Sequence, residues 1–189
     1  MPSKATWSVR FETTPNPQSL KFVASAPIAS SSADFRTAKE AALRSPLARK
    51  IFGFPWTDGV YVGSDFVTVT KQDWVDWETL AEPLAGLIAE HLERGEPVLV
   101  EQAAAAAAKE GDPDSAEVRL IKQILETEIR PAVALDGGDV VFERFEDDVV
   151  YLHMRGSCSG CPSSAMTLKD GILGRLSGAI PSIKDVVAV

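Results

Sequence analysis

The feature that most restricts the fold of this chain is a low-complexity segment near its middle, "EQAAAAAAKEGDPDS", Glu101 to Ser115. Six consecutive alanines offer no distinct apolar face to a core, and the Gly-Asp-Pro sequence that follows stops any helix leaving them. We interpret residues 101–113 as an Ala-rich linker. The sequence therefore predicts two small domains, residues 1–100 and residues 114–189.

The first domain is predicted to be α+β. Two hairpins are expected, around the turns "TPNPQS" and "GSD", because apolar residues alternate on both sides of each turn. A helix is expected with Asp34 as its N-cap, and a second with Ser45 as N-cap and Pro46 at its first position. A third, amphipathic helix should end at Gly95.

The second domain is predicted to have the order α-β-β-α-β. An amphipathic helix begins near Val118, and Pro131 should kink or end it. A hairpin follows around "EDD", then a helix that starts at Pro162 and a closing strand, "IKDVVAV". We interpret "DGGD", residues 136–139, as a helix stop and a strand start; the alternative is a surface that packs against the cysteine loop. The fold class is thus two small α+β domains joined by the linker.

Composition excludes several classes of function. The net charge is −8 with no basic stripe, so nucleic acid is not an expected partner. No apolar run approaches the ~20 residues that cross a membrane. Nothing resembles a catalytic triad or a phosphate-binding loop, and we expect no enzyme activity. Residues 1–17 contain neither a signal core nor an Arg- and Ser-rich presequence, which favours a bacterial cytoplasmic protein over the mitochondrial matrix.

The chain has two cysteines, Cys158 and Cys161, in "RGSCSGCPSS". Gly156 and Gly160 let the backbone curl around them, and a helix start at Pro162 places both sulfurs near free backbone N–H groups and the positive end of a helix dipole. Such surroundings stabilise thiolates, so the pair suits a soft metal or cluster.

Three functions fit a CxxC pair of this kind. A thioredoxin-like dithiol oxidoreductase has the right local order, but only 28 residues follow Cys161, too few for the rest of that fold. Zinc and an iron–sulfur cluster both accept four thiolates, of which one chain supplies half. A second copy related by a two-fold axis completes the set, giving either a zinc-stapled structural dimer or a cluster carrier. The number of ligands alone does not choose between them.

The flanking residues resemble the NifU-like (Nfu) iron–sulfur scaffold family. In the second domain the matching motifs are Ile129-Arg130-Pro131, Asp136-Gly137-Gly138-Asp139, Gly156-x-Cys158-x-x-Cys161-Pro162-Ser163-Ser164 and Thr167-Leu168. In the first they are "TPNPQSLKF", "SPLARKIF" and "GVYVGSDFVTVTK". The resemblance covers nearly the whole chain except the linker.

This resemblance implies an iron–sulfur cluster carrier. Cys158 and Cys161 are the implied ligands of a [4Fe–4S] cluster shared by two subunits, with [2Fe–2S] as the alternative. The implied partners are apo iron–sulfur client proteins and cluster assembly proteins, and the cluster-loaded form is a homodimer. A cluster that is to be transferred should sit on an exposed loop, and we expect neither thiol to be needed for the core.

Overall fold

The computed structural model of the chain describes residues 6–100, 115–159 and 162–189, with side chains in the last helix described from Met166 onward. The chain divides into two compact units, Met1–Ala103 and Ala104–Val189. Each described part has its own apolar core. The predicted linker, residues 101–113, lies outside the described residues and stays a prediction.

The first unit contains a five-stranded antiparallel sheet with the strand order β1-β2-β5-β4-β3. Both predicted hairpins are present, one pairing β1 with β2 and the other pairing β4 with β5. Apolar residues on one face of the sheet form its core with the helices. The strands are β1 (Val9–Thr13), β2 (Ser19–Ala24), β3 (Ala33–Phe35), β4 (Thr57–Val62) and β5 (Phe66–Lys71).

Three helices cover this sheet: α1 (Ala38–Arg44), α2 (Pro46–Ile51) and α3 (Trp77–Glu93). Ser45 caps α2, with its Oγ accepting from the Ala48 N–H at 3.0 Å, as predicted. The prediction of Asp34 as the cap of α1 is wrong. Asp34 lies in β3, and Thr37 caps the helix through a capping box with Glu40.

The second unit is also α+β, which confirms the predicted fold class. Its sheet has the order β6-β7-β8, with β6 and β7 antiparallel and β8 parallel to β7. Helices α4 and α6 pack on each other, and α6 packs on β8. The elements are α4 (Ala116–Ile124), α5 (Arg130–Leu135), β6 (Gly138–Glu146), β7 (Val149–Gly156), α6 (Pro162–Ala179) and β8 (Asp185–Ala188).

The helical run at the start of this unit passes through Pro131 rather than ending there. A π-helical turn, Leu125–Ile129, joins α4 to α5 and places Pro131 in the first turn of α5. The wider turn accommodates a residue that has no N–H to donate. The helix then ends at Leu135, and Gly137, two residues further on, has a φ of +77°. Arg130 therefore lies where the π-helical turn meets α5, and its side chain contacts Asp139 at the start of β6.

In the parts of the chain that the structure describes, no helix combines the length and the apolar character needed to span a bilayer.

Candidate functional site

Cys158 lies in the turn that follows β7, four residues before the first residue of α6. The turn is closed by the Ser159 N–H, which donates to the Gly156 carbonyl at 3.1 Å, and Gly156 has a φ of +63°. Helix α6 begins at Pro162, as the sequence predicted. Cys161, the second predicted ligand, lies outside the described residues.

The Cys158 side chain points inward, contrary to the expectation of an exposed loop. Its residue is 7% exposed and belongs to the apolar core of the second unit. The Cys158 side chain thus lies within the core, and the expectation that neither thiol is needed for the core stays a prediction. A cysteine buried in this way packs as a small apolar residue.

Gly138, the first residue of β6, makes room for this sulfur. A Cβ atom built on Gly138 would lie 2.3 Å from the Cys158 Sγ, 3.2 Å from its Cβ and 3.1 Å from the Arg155 carbonyl oxygen. Any side chain at position 138 would occupy the space of the sulfur. We call the space beside Gly138 that the sulfur occupies the glycine notch.

The segment 136–139 also holds the cysteine turn through hydrogen bonds. The Ser157 hydroxyl donates to the Asp136 carbonyl at 2.5 Å, and the Ser157 N–H donates to the Gly137 carbonyl at 3.2 Å. In the sheet, Gly138 pairs with Gly156. Both interpretations of "DGGD" thus hold, because the motif ends a helix, starts a strand and packs against the cysteine loop.

Arg130 and Asp139 form a partly buried ion pair behind this segment. The Arg130 Nε donates to one carboxylate oxygen of Asp139 at 2.7 Å, and its Nη2 donates to the other at 3.1 Å. The Asp139 side chain is 4% exposed. Hydrogen bonds to Asp139 raise the pKa of Arg130, so the guanidinium stays charged. Sequence analysis named both residues only within motifs and missed the pair, which spans nine positions.

Comparison with known proteins gives two domain matches and several relatives along the whole chain. Residues 121–187 match the NifU-like domain, and residues 9–95 match the N-terminal domain of scaffold protein Nfu/NifU. The human protein named NFU1 iron-sulfur cluster scaffold homolog, mitochondrial, is 40% identical over 96% of this chain and 71% of its own length. Arabidopsis thaliana NifU-like protein 4, mitochondrial, is 42% identical over 97% of this chain and 66% of its own length.

The chain belongs to the Nfu family. Among solved structures, the solution NMR structure of a NifU-like protein from Saccharomyces cerevisiae is 28% identical, with a TM-score of 0.47 over 54% of this Nfu chain and 92% of its own.

The relatives correct one expectation. The human relative, NifU-like proteins 4 and 5 of Arabidopsis thaliana and the Drosophila persimilis relative are each named as mitochondrial, so the prediction of a bacterial cytoplasmic protein is wrong. That prediction rested largely on the composition of residues 1–17. These residues hold no information about what lies outside the sequence.

No group of three or more His, Cys, Asp or Glu residues suited to a metal ion occurs in the described parts of the chain. In β7, the Nδ1–H of His153 donates to the Val189 carbonyl at 3.0 Å, and its Nε2 lies 2.8 Å from a carboxylate oxygen of Glu143. Both ring nitrogens are thus committed to these contacts.

His91 is a buried titratable group in the first unit, and its contacts fix its tautomer. Its Nε2 lies 3.2 Å from the Pro97 carbonyl, which can only accept, so Nε2 carries the proton. Its Nδ1 then accepts from the Lys50 ammonium at 3.0 Å, while Lys50 also donates to Glu96 at 2.7 Å. Burial lowers the pKa of His91 below its usual value of 6.5, and the Lys50 charge lowers it further.

This arrangement predicts a pH dependence for the stability of the first unit. The unfolded chain takes up a proton on His91 near pH 6.5, whereas the folded chain does so at lower pH. Stability from this group is therefore constant above about pH 7.5 and falls as the pH drops through about 6.5, by at most about 1.4 kcal/mol per pH unit.

Denaturant unfolding of the full chain between about pH 7.5 and 5.5 measures this effect. In the matched variant His91→Gln the slope with pH should flatten, whatever the absolute stability of that variant. Equal slopes in the two proteins would assign the pH dependence to other groups.

Proposed function

We propose that this protein is an iron–sulfur cluster carrier that binds a [4Fe–4S] cluster between two copies of the chain and transfers it to apo-proteins. Cys158 and Cys161 of each copy supply the four thiolates. The cluster is cargo rather than a resident cofactor, so the protein is a binding and delivery module and not an enzyme. The apo iron–sulfur proteins that receive the cluster, and the assembly proteins that supply it, are the proposed partners.

One observation carries this proposal: in a chain that belongs to the Nfu family, Cys158 sits at a glycine-lined turn directly ahead of α6. The turn is built by the same motifs that identify the family, since Gly138 makes space for the sulfur and Asp136 accepts from Ser157. Thiolates are the preferred ligands of iron–sulfur clusters. A relative named as an iron–sulfur cluster scaffold homolog at 40% identity supports the same cargo.

The surface near the cysteine turn supports a second copy as the source of the other two thiolates. Leu135, which precedes the Asp136 that holds the turn, is 76% exposed. Met166, in the second turn of α6, is 70% exposed. Large apolar side chains at these positions favour an apolar contact around the shared cluster. We propose that this contact forms the homodimer in the loaded state.

Loading and transfer are ligand exchanges. On loading, each carrier sulfur replaces the previous ligand on an iron, and the proton of the cysteine passes to that departing ligand. On transfer, a client thiol gives up its proton, its sulfur replaces the carrier sulfur on the iron, and the released carrier sulfur takes up a proton. No electron leaves the cluster in these steps. Because the Cys158 sulfur starts in the glycine notch, the turn must present it to iron at the surface during loading.

Two further assignments complete the proposal. We propose the mitochondrion as the compartment, since the relatives are named as mitochondrial proteins. The first unit is proposed to recruit clients while the second carries the cluster, with residues 101–113 as the tether between them.

Anaerobic loading of the full chain with iron and sulfide tests the cargo and the stoichiometry together. We expect brown protein with visible absorption, about two iron and two sulfide ions per chain, and a dimer by light scattering. The apo form should be a monomer or a weaker dimer. Half of that iron content would indicate [2Fe–2S] instead.

The competing functions give different results in the same experiment. Zinc in place of iron in colourless protein would indicate the structural dimer, and a colourless disulfide that reduces protein substrates would indicate the dithiol oxidoreductase. A monomer that holds a complete cluster on its own thiolates alone would contradict the bridged arrangement.

A further inference from the structure

The buried carboxylate of Asp139 depends on Arg130 for its charge partner. Asp139 as a whole is 3% exposed, and its Oδ1 also accepts from its neighbour, the Val140 N–H, at 2.9 Å. Arg130 supplies two further hydrogen bonds in the fork geometry that only arginine offers. Without Arg130 the carboxylate would be buried without a countercharge, so it would move toward water.

Movement of Asp139 would be transmitted to the cysteine turn through the backbone. Asp139 directly follows Gly138 and pairs with Arg155 in the sheet, while Gly138 pairs with Gly156. The Arg155 carbonyl oxygen and the Cys158 sulfur both border the space at Gly138. A displaced Asp139 therefore changes the width of the glycine notch.

We propose that Arg130 is a positioning residue for the cluster site: through Asp139 it fixes Gly138, and with Gly138 the place of the Cys158 sulfur. The inference deepens the proposed function, because it assigns a role to Arg130 in presenting a cluster ligand. The described side-chain contacts of Arg130 are with Glu126 and Asp139, and none of them is with Cys158. It acts from the junction of the π-helical turn and α5, directly before Pro131.

The test measures how fast Cys158 of the apo, full-length chain reacts with iodoacetamide, with the modified peptide identified by mass spectrometry. Arg130→Gln and Asp139→Asn are each expected to raise the rate about tenfold, since each removes charge-assisted hydrogen bonds. The double variant should react no faster than the faster single variant, because both changes break one linkage.

A control separates positioning from loss of overall stability. Val186 is fully buried in β8 and pairs with Val150, about 20 Å along β7 from the cysteine turn. Val186→Ala lowers the stability of the unit without touching the ion pair. When the two variants are compared at the same free energy of unfolding, Cys158 should react with iodoacetamide about tenfold faster in Arg130→Gln than in Val186→Ala. Equal rates would overturn the proposal and leave the pair a purely structural one.

Arg130→Lys keeps the test decisive if Arg130→Gln fails to fold. Lysine retains the charge but not the two-pronged geometry, so the alkylation rate should lie between those of the wild type and Asp139→Asn.

In the loaded state the visible circular dichroism, which reports the arrangement of ligands around the cluster, should differ from wild type in Arg130→Lys and not in Val186→Ala. Wild-type alkylation and dichroism in Arg130→Lys would overturn the positioning role. If the wild type bound no cluster, the proposed function would be contradicted. The alkylation experiment would still test the positioning role of Arg130, because it uses the apo protein.

Discussion

Serine in place of Cys158 is expected to remove stable cluster binding and also to lower the free energy of unfolding of the second unit by about 1–2 kcal/mol. The first effect follows from ligand chemistry, because a serine hydroxyl does not replace a thiolate on iron. A bridged cluster loses two ligands at once, since each of the two copies carries the change. The second effect follows from burial, because Cys158 lies in an apolar core at 7% exposure.

Iron and sulfide content after anaerobic loading, together with denaturant unfolding of the apo protein, measures both effects. Cys158→Ala is the matched variant: it should lose the cluster equally while avoiding a buried hydroxyl.

Cys161→Ser tests the second proposed ligand and should also lose the cluster. Wild-type iron content in either serine variant would exclude that cysteine as a ligand.

Local sequence signals predicted most of the fold. The hairpin of β4 and β5 was predicted from alternating apolar residues around "GSD", and the start of α2 from Ser45 and Pro46. Both depend on residues adjacent in sequence. Asp34 shows where such signals fail, because the pairing of β3 with β4 decides its role. The capping box of Thr37 and Glu40 was a local signal that would have given the correct start of α1.

The environment of the candidate site could not be predicted in the same way. The sequence indicated Cys158 as a ligand and glycines as its neighbours, but the burial of its sulfur depends on Gly138, twenty positions earlier. That contact exists only because β6 and β7 pair with Gly138 opposite Gly156. The ion pair of Arg130 and Asp139 likewise depends on the π-helical turn, which no local propensity indicated.

Alanine in place of Gly138 is expected to lower the free energy of unfolding of the second unit by about 1–3 kcal/mol and to drive the Cys158 sulfur out of the glycine notch. The added Cβ would lie 2.3 Å from the sulfur, a distance that no packing tolerates. The Arg155 carbonyl oxygen at 3.1 Å is backbone in a paired strand, so it gives way less easily than a side chain. The sulfur therefore moves, and its reaction with iodoacetamide should accelerate.

Gly171→Ala is the matched control, because it is the same substitution in the same unit with the opposite expected sign. Gly171 lies inside α6, and a Cβ there would meet nothing within 4 Å. Alanine in an open helical position should raise stability by about 0.5–1 kcal/mol, since glycine is the poorer helix former. Denaturant unfolding and the alkylation rate of Cys158, measured for both variants, test whether the sulfur occupies the glycine notch. Suppose that Gly138→Ala were as stable as Gly171→Ala and had an unchanged alkylation rate. The Cys158 sulfur would then not occupy the glycine notch, and the glycine at position 138 would need another explanation.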